Sequence, residues 1–232
     1  MRRTIAAFLG ILMLASWAGA SAQTPGASPQ AMLVSQVDLE RYLLTGQQVP
    51  DGLVVIMDGR RTLPDVVSGF RDPDEAMERF KAWGWQGNVV RAFHAPENAD
   101  IDPQAIDGIY MSIHAFGTPE EAAEALAYTA DAHADAGDLR ELDDVEIDTT
   151  SRVLYGEMSY GDEVTIYAQE GNIVIRLSAA SPKGDPTNEA VRMVTLILDQ
   201  TEATPTAAPP GTANDVGGPQ SSATLVNTAK GH

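Results

Sequence analysis

Six short stretches of the chain alternate apolar and polar residues, or are rich in β-branched residues, and each is bounded by turn-forming residues. This pattern is typical of β-strands. Turns as short as Tyr160-Gly161-Asp162 and Glu170-Gly171-Asn172 predict that the last three strands form an antiparallel meander. The six predicted strands are Leu53 to Met57, Asn88 to His94, Ile109 to Phe116, Arg152 to Ser159, Glu163 to Gln169 and Asn172 to Ala180.

Three helices are predicted from a shared start signal, a capping residue followed by proline at Asp72-Pro73, Thr118-Pro119 and Asp185-Pro186. Glu75 and Glu121 stand where a capping box places its acidic residue. Shorter helices are predicted from Leu63 to Ser68 and from Val37 to Leu44. The fold class is therefore α+β, an antiparallel sheet of about five or six strands, including the C-terminal three-stranded meander, with helices packed on it.

The ends of the chain differ in composition from its middle. Residues 1–22 combine two arginines, an apolar run from Ile5 to Ala18 and small residues before the expected cleavage site, which is the layout of a signal peptide. The run is too short for a membrane span, which needs about 20 apolar residues. Residues 23–31 are predicted to form a flexible leader, 32–200 a single domain, and 201–232 a disordered tail rich in Thr, Pro, Ala and Gly.

Charge and cysteine content narrow the possible functions. The net charge is −18, and it becomes −20 once Arg2 and Arg3 are removed with the signal peptide. Such an acidic surface repels phosphate backbones and anionic lipid, so we expect no nucleic acid partner and no membrane span after signal cleavage. The chain has no cysteine, which excludes disulfides, thiolate metal sites and cysteine nucleophiles. No cofactor is predicted.

The predicted sheet offers a candidate binding face. Alternation along the strands separates an aliphatic face from one that can display polar and aromatic side chains. Tyrosines on a rigid sheet, with one arginine in an acidic protein, are suited to recognition of a polar ligand. The alternative is a solvated face on which Arg176 pairs with Glu157 across the strands. The candidate ligand-binding residues are Tyr110, His114, Tyr155, Glu157, Tyr167 and Arg176.

The sequence supports a metal site or a catalytic site less strongly than it supports the candidate binding face. Asn98, Asp100 and Asp102 begin like a calcium loop, but Pro103 stands where the loop needs glycine, so they are weak metal candidates. No catalytic motif is present, and an enzyme hypothesis depends on His94, His114 and nearby carboxylates meeting in space. His133 is predicted to point from its helix toward the sheet as a hydrogen-bonded residue.

A junction rich in aromatic residues carries a family resemblance. The chain reads Gly69-Phe70, then Trp83-Gly84-Trp85, then Val89 to Phe93. This order resembles small exported α+β domains of bacteria, similar to PsbP/Mog1-like domains, that occur in secreted lipoproteins and in extracytoplasmic parts of Ser/Thr kinases. The resemblance implies an exported domain and transfers no site residue. The chain departs from these lipoproteins by lacking a lipid-bearing cysteine, and from the kinases by lacking a kinase domain.

Together these observations predict a secreted or extracytoplasmic protein of the periplasm or cell envelope. The leading hypothesis is a non-enzymatic binding or sensor-like domain whose partner is a small polar molecule or an envelope protein. The alternatives are a metal-assisted or hydrolytic enzyme that uses His94 and His114, and an envelope spacer protein.

Overall fold

The computed structural model of the protein describes residues 39–137 and 139–202, with side chains as far as residue 200. The predicted signal peptide, the leader and nearly all of the predicted tail lie outside the described residues. Of the helix predicted from Val37 to Leu44, the described residues 39–40 are helical and a turn follows them.

Seven strands form one antiparallel sheet in the order β1-β2-β3-β7-β6-β5-β4 within the described residues. Strand β7 is therefore central, and its pairing with β3 joins the first three strands to the C-terminal meander. The strands are β1 (Val54–Arg61), β2 (Gly87–His94), β3 (Gly108–Ala115), β4 (Arg140–Glu141), β5 (Ser151–Met158), β6 (Gly161–Glu170) and β7 (Ile173–Ser181).

Four helices accompany the sheet in the part of the chain that the structure describes: α1 (Leu63–Val67), α2 (Pro73–Ala82), α3 (Pro119–Gly137) and α4 (Thr187–Glu202). The predicted caps form at α2 and α3, where Asp72 accepts a hydrogen bond from the Glu75 amide and Thr118 from the Glu121 amide. Because these caps satisfy amides that lack a partner inside the helix, they fix where each helix begins.

Helices cover both faces of the sheet. Helices α1, α2 and α3 pack together on one face, which we call the α3 face, through a cluster that includes Val67, Phe80 and Leu126. Helix α4 packs on the opposite face, the α4 face, where Met193 and Ile197 join the aliphatic residues of the strands. Trp83 ends α2 and donates a 2.8 Å hydrogen bond to Glu124 of α3, which ties the two helices together.

The prediction of an α+β fold with an antiparallel sheet and a C-terminal meander is confirmed, but the strand count was too low. The two-residue strand β4 is too short to leave a periodic signal. Strand β1 also continues through Asp58-Gly59 to Arg61, past Met57, where the strand was predicted to end. No helix among the described residues is both long enough and apolar enough to cross a membrane.

Candidate ligand-binding site

Arg176 lies at the centre of the sheet, on the α3 face. Its strand register places it directly between Ser112 of β3 and Tyr167 of β6. The guanidinium carbon is 5.4 Å from the ring centroid of Tyr110 and 5.9 Å from that of Tyr167. Both distances are within the range of a cation–π contact, so the two tyrosines bracket the cation.

Helix α3 places His133 over this group. The Arg176 Nη2 atom is 3.4 Å from His133 Nε2, and the Tyr167 hydroxyl is 3.2 Å from His133 Nδ1. An arginine nitrogen can only donate, so His133 Nε2 accepts and the imidazole carries its proton on Nδ1. His133 therefore donates to the Tyr167 oxygen, and its predicted orientation toward the sheet is confirmed.

His114 forms a second network next to Arg176 on β3. Its Nδ1 accepts a 3.3 Å hydrogen bond from Trp85 Nε1, and its Nε2 lies 3.0 Å from the Ser112 hydroxyl. Asn88 donates to the same hydroxyl at 2.7 Å. Since Trp85 can only donate, the proton of His114 resides on Nε2 and points at Ser112.

Arg61 brings a second cation to the same face from the edge strand β1. Its Nη1 atom donates to the Tyr110 hydroxyl at 3.4 Å, and its Nη2 atom donates to the carbonyl oxygen of Asp65 at 2.5 Å. Within the described residues neither Arg61 nor Arg176 forms an ion pair with a carboxylate. The Nε atom of Arg176 is buried and has no hydrogen-bond partner there.

These surroundings keep both histidines neutral. Burial, and to a smaller extent the neighbouring Arg176, lower the pKa of His133 to about 3. Burial, followed by the charges of Arg61 and Arg176, likewise lowers the pKa of His114 to about 3. The positive charge of the site therefore resides on the two arginines.

The structure brings together four of the six predicted site residues, namely Tyr110, His114, Tyr167 and Arg176. Tyr155 and Glu157 lie on the α4 face, because β5 pairs Tyr155 with Val164 and Glu157 with Asp162. The prediction that they share the tyrosine face is wrong. A shift of one residue in register moves every side chain to the other face, and the sequence did not fix the register between β5 and β6.

The alternative of a solvated sheet face, with Arg176 paired to Glu157, is also incorrect. Arg176 and Glu157 lie on opposite faces and cannot pair. Helices pack on part of the α3 face, where Tyr167 is 3% exposed, whereas Tyr110 and Arg176 are half-buried. Residue Tyr155 instead packs under Arg140, and burial raises its pKa to about 12.

The structure does not bring the proposed catalytic histidines together. In the register of β2 and β3, His94 pairs with Gly108 and His114 pairs with Asn88. Six residues of extended chain separate these positions, a distance of about 20 Å. The Ser112–His114 contact is not a nucleophile–base pair either, because Nε2 of His114 already carries the proton that a base would need to accept.

The weak metal candidates form a turn. Asp102 accepts a hydrogen bond from the Gln104 amide at 2.9 Å, which makes it the cap of that turn. Across residues 39–137 and 139–202 no group of three or more His, Asp or Glu side chains is arranged to hold a metal ion. Asn98, Asp100 and Asp102 therefore remain a prediction without a supporting arrangement.

Sequence reasoning did not assign Arg61, Ser112, Trp85 or Asn88 to the site. Alternation along β3 did place Ser112 beside Tyr110 and His114, so its face was predictable. Arg61 was missed because β1 was expected to end before it. The indole N–H of Trp85 contacts His114, a residue 29 positions away that no local pattern links to it.

Comparison with known proteins identifies a solved structure with a similar fold. No family model matches the sequence, and no curated protein matches it. The extracellular domain of PknH from Mycobacterium tuberculosis is similar in structure, with a TM-score of 0.50 and 14% sequence identity over 72% of this chain and 95% of that chain. At this identity the likeness concerns the fold, and it supports at that level the predicted resemblance to extracytoplasmic domains.

Proposed function

We propose that this chain is a non-enzymatic extracytoplasmic binding domain that recognises a small polar ligand on the α3 face. The observation that carries the proposal is the position of Arg176, which lies at the centre of the sheet between Tyr110 and Tyr167. Arg176 forms no ion pair with a carboxylate in the described residues, although the chain has 33 acidic residues and 15 basic ones. A cation kept apart from so many available counterions is suited to binding a partner from outside.

Two further observations support a binding role. The polar side chains around Arg176 are held by strands and by hydrogen bonds across elements, which gives the pre-organisation that ligand sites need. The chain also shares its fold with a solved domain that is extracellular. The predicted signal peptide agrees with such a location, and the envelope remains the proposed compartment.

Arg79 provides a matched control for testing Arg176. Its guanidinium also lies over a tyrosine ring, 5.0 Å from the centroid of Tyr128, but it is paired with Glu75 at 2.7 Å. The two arginines therefore share the aromatic contact and differ in the carboxylate partner. Native mass spectrometry of the mature protein, purified from its secreting host, measures whether a small molecule is retained.

We expect the wild type and Arg79→Gln to retain the ligand, and Arg176→Gln to lose it while keeping its circular dichroism spectrum. Retention of the same ligand by Arg176→Gln would disprove this location for the site. Absence of any ligand effect on the melting temperature of the wild type, across a broad library of small polar molecules, would disprove the binding function.

A further inference from the structure

We propose that the group formed by Arg176, Tyr110 and Tyr167 binds a small oxyanion, either a carboxylate or a phosphate group. This inference rests on the proposed binding function and assigns the chemistry of the ligand. Its basis is that three side chains of this group each leave a hydrogen-bond donor without an acceptor, and that Arg61 and Arg176 lack counterions among the described residues.

The first unused donor is the hydroxyl of Tyr167, because of its contact with His133. Because His133 accepts from Arg176 and donates to the Tyr167 oxygen, both of its ring nitrogens are used. Tyr167 acts as an acceptor in this contact, so its own hydroxyl proton has no acceptor in the described part of the chain. A buried hydroxyl proton without an acceptor is a donor that a ligand oxygen can use.

Tyr110 and Arg176 each supply one more hydrogen-bond donor without an acceptor. Tyr110 accepts from Arg61, which leaves its hydroxyl proton without an acceptor among residues 39–137 and 139–202. The buried Nε of Arg176 has no partner either. Three donors from three side chains are thus unused around one guanidinium. A buried donor without a partner lowers stability, so an acceptor that reaches Arg176 Nε or the Tyr167 hydroxyl stabilises the folded protein as well as the complex.

Charge selects the kind of acceptor. Arg61 and Arg176 are cations, and both neighbouring histidines are neutral because burial and the arginines lower their pKa. A neutral sugar or amide would supply acceptor oxygens but no charge, and an amine would be repelled. A carboxylate or a phosphate supplies both, and its planar or tetrahedral oxygens match the fork of donors on a guanidinium.

The experiment measures binding of three probes to the mature protein by isothermal titration calorimetry and by ¹H–¹⁵N NMR of the arginine Nε–H groups. The probes are inorganic phosphate, acetate and succinate, each at constant ionic strength with chloride as the reference anion. We expect saturable binding of phosphate or of a carboxylate, with a change at the Arg176 Nε–H signal. The two probe classes show which oxyanion the site takes.

Three variants locate the binding. Arg176→Gln should weaken affinity at least tenfold, and Tyr110→Phe should weaken it severalfold because it removes one donor and keeps the ring. Arg79→Gln should match the wild type. If Arg176→Gln does not fold, Arg176→Lys keeps the charge and removes Nε, and the same tenfold loss is expected.

Equal binding of the probes by the wild type and by the folded Arg176 variants would overturn the inference, as would no binding above the chloride reference. If the probes fail but a neutral or cationic molecule is retained by the wild type and lost in Arg176→Gln, the oxyanion chemistry is wrong and the proposed binding function stands. If no molecule of any charge depends on Arg176, both are wrong.

Discussion

The hydroxyl of Tyr167 lies 3.2 Å from Nδ1 of His133, and this contact joins helix α3 to the central part of the sheet. Tyr167 is 3% exposed, so water does not readily replace the contact. The imidazole is oriented by Arg176 on its other side. The Tyr167 contact therefore stabilises the domain, while the Arg176 contact places the proton of His133 on Nδ1.

Replacing Tyr167 with phenylalanine should lower the free energy of unfolding by about 1–2 kcal/mol, because it leaves the His133 N–H without an acceptor. Chemical denaturation followed by circular dichroism measures the change. Tyr128→Phe is the control, since the Tyr128 ring stacks on Phe70 and no hydrogen bond of its hydroxyl is found in the described residues. A loss in Tyr128→Phe equal to that in Tyr167→Phe would contradict the role of the His133 contact.

His133 should remain neutral in the folded protein at pH 5. Its folded pKa, about 3, is below the ordinary value of 6.5, so the unfolded state binds more protons between these two values. Stability contributed by neutral His133 is therefore present above pH 6.5 and is lost as pH falls toward 3, by up to about 1.4 kcal/mol per pH unit. Unfolding measured from pH 7.5 to 4 should show a shallower decline for His133→Gln than for the wild type.

The protonation state of His133 can also be measured directly from its imidazole ring. NMR of the His133 Cε1–H signal should show no protonation between pH 7 and 5, whereas a midpoint near 6.5 would contradict the neutral state. His114 lies in the same environment and has a similarly lowered pKa. The double substitution of His114 and His133 should therefore remove more of the acid sensitivity than either single one.

Thr62 and Asp65 form a reciprocal capping box at the start of α1, and it was not predicted from the sequence. Thr62→Ala should lower the free energy of unfolding by about 1 kcal/mol at pH 7. The hydrogen bonds from Thr62 lower the pKa of Asp65 below 3.8, so this contribution is present above that pH and is lost as the pH falls below it. The difference between the wild type and Thr62→Ala should accordingly shrink at pH 3.

Thr118→Ala is the matched control for this cap. It removes the hydroxyl that accepts from the Glu121 amide at the start of α3. We expect a similar loss of stability at pH 7 without the acid dependence that belongs to Asp65. A constant difference for Thr62→Ala from pH 7 to pH 3 would show that the carboxylate takes no part in the cap.

Gly161 begins β6 with a φ of 139°, in a region that L-residues rarely adopt. A Cβ atom there would overlap the carbonyl oxygen of Ser181 on the neighbouring strand. Gly161→Ala should therefore destabilise the protein by at least about 2 kcal/mol, from backbone strain and crowding together. Thermal unfolding measures the change.

Gly171 offers the comparison for Gly161. Its φ is 55°, and a Cβ atom would meet no other atom within 4 Å. Gly171→Ala should cost about 1–2 kcal/mol, which is the strain alone. If both variants lose the same amount, the contact with Ser181 adds nothing.

Strand β1 exposes a run of large apolar residues at the edge of the sheet, from Val54 to Met57. Ile56 is 62% exposed and lies in a register irregularity between Val55 and Met57. An exposed apolar edge favours association between chains, so Ile56→Lys should reduce aggregation in light scattering while changing stability by less than about 0.5 kcal/mol. Thr195→Lys adds the same charge on exposed α4 and should leave aggregation at the wild-type level.

Much of the fold was predictable because its signals are local. The caps at Asp72 and Thr118 and the glycine turns at Gly161 and Gly171 act within a few residues, and sequence patterns capture that range. The faces of β3 and β7 followed from simple alternation, which placed Tyr110, His114 and Arg176 correctly. These are the positions where one local rule decides the outcome.

The remainder depends on contacts between distant parts of the chain. Whether Tyr155 or Leu154 shares a face with Tyr167 is set by the pairing of β5 with β6, which alternation alone does not determine. His133 meets Arg176 across 43 positions in sequence, and Trp85 meets His114 across 29. No single-sequence pattern encodes these encounters, so the composition of the site became clear only in the structure.

The pairing of β3 with β7 has a consequence for folding. Ser112 and Tyr110 come from the first half of the chain, whereas Tyr167 and Arg176 come from the second, and the sheet joins the halves along this one ladder. The candidate site therefore forms only after β3 has paired with β7, the pairing with the largest sequence separation among the described strands. A ligand bound there would contact both halves of the chain, so it should slow unfolding. It should also promote reassembly of two fragments produced by cutting the chain between α3 and β4.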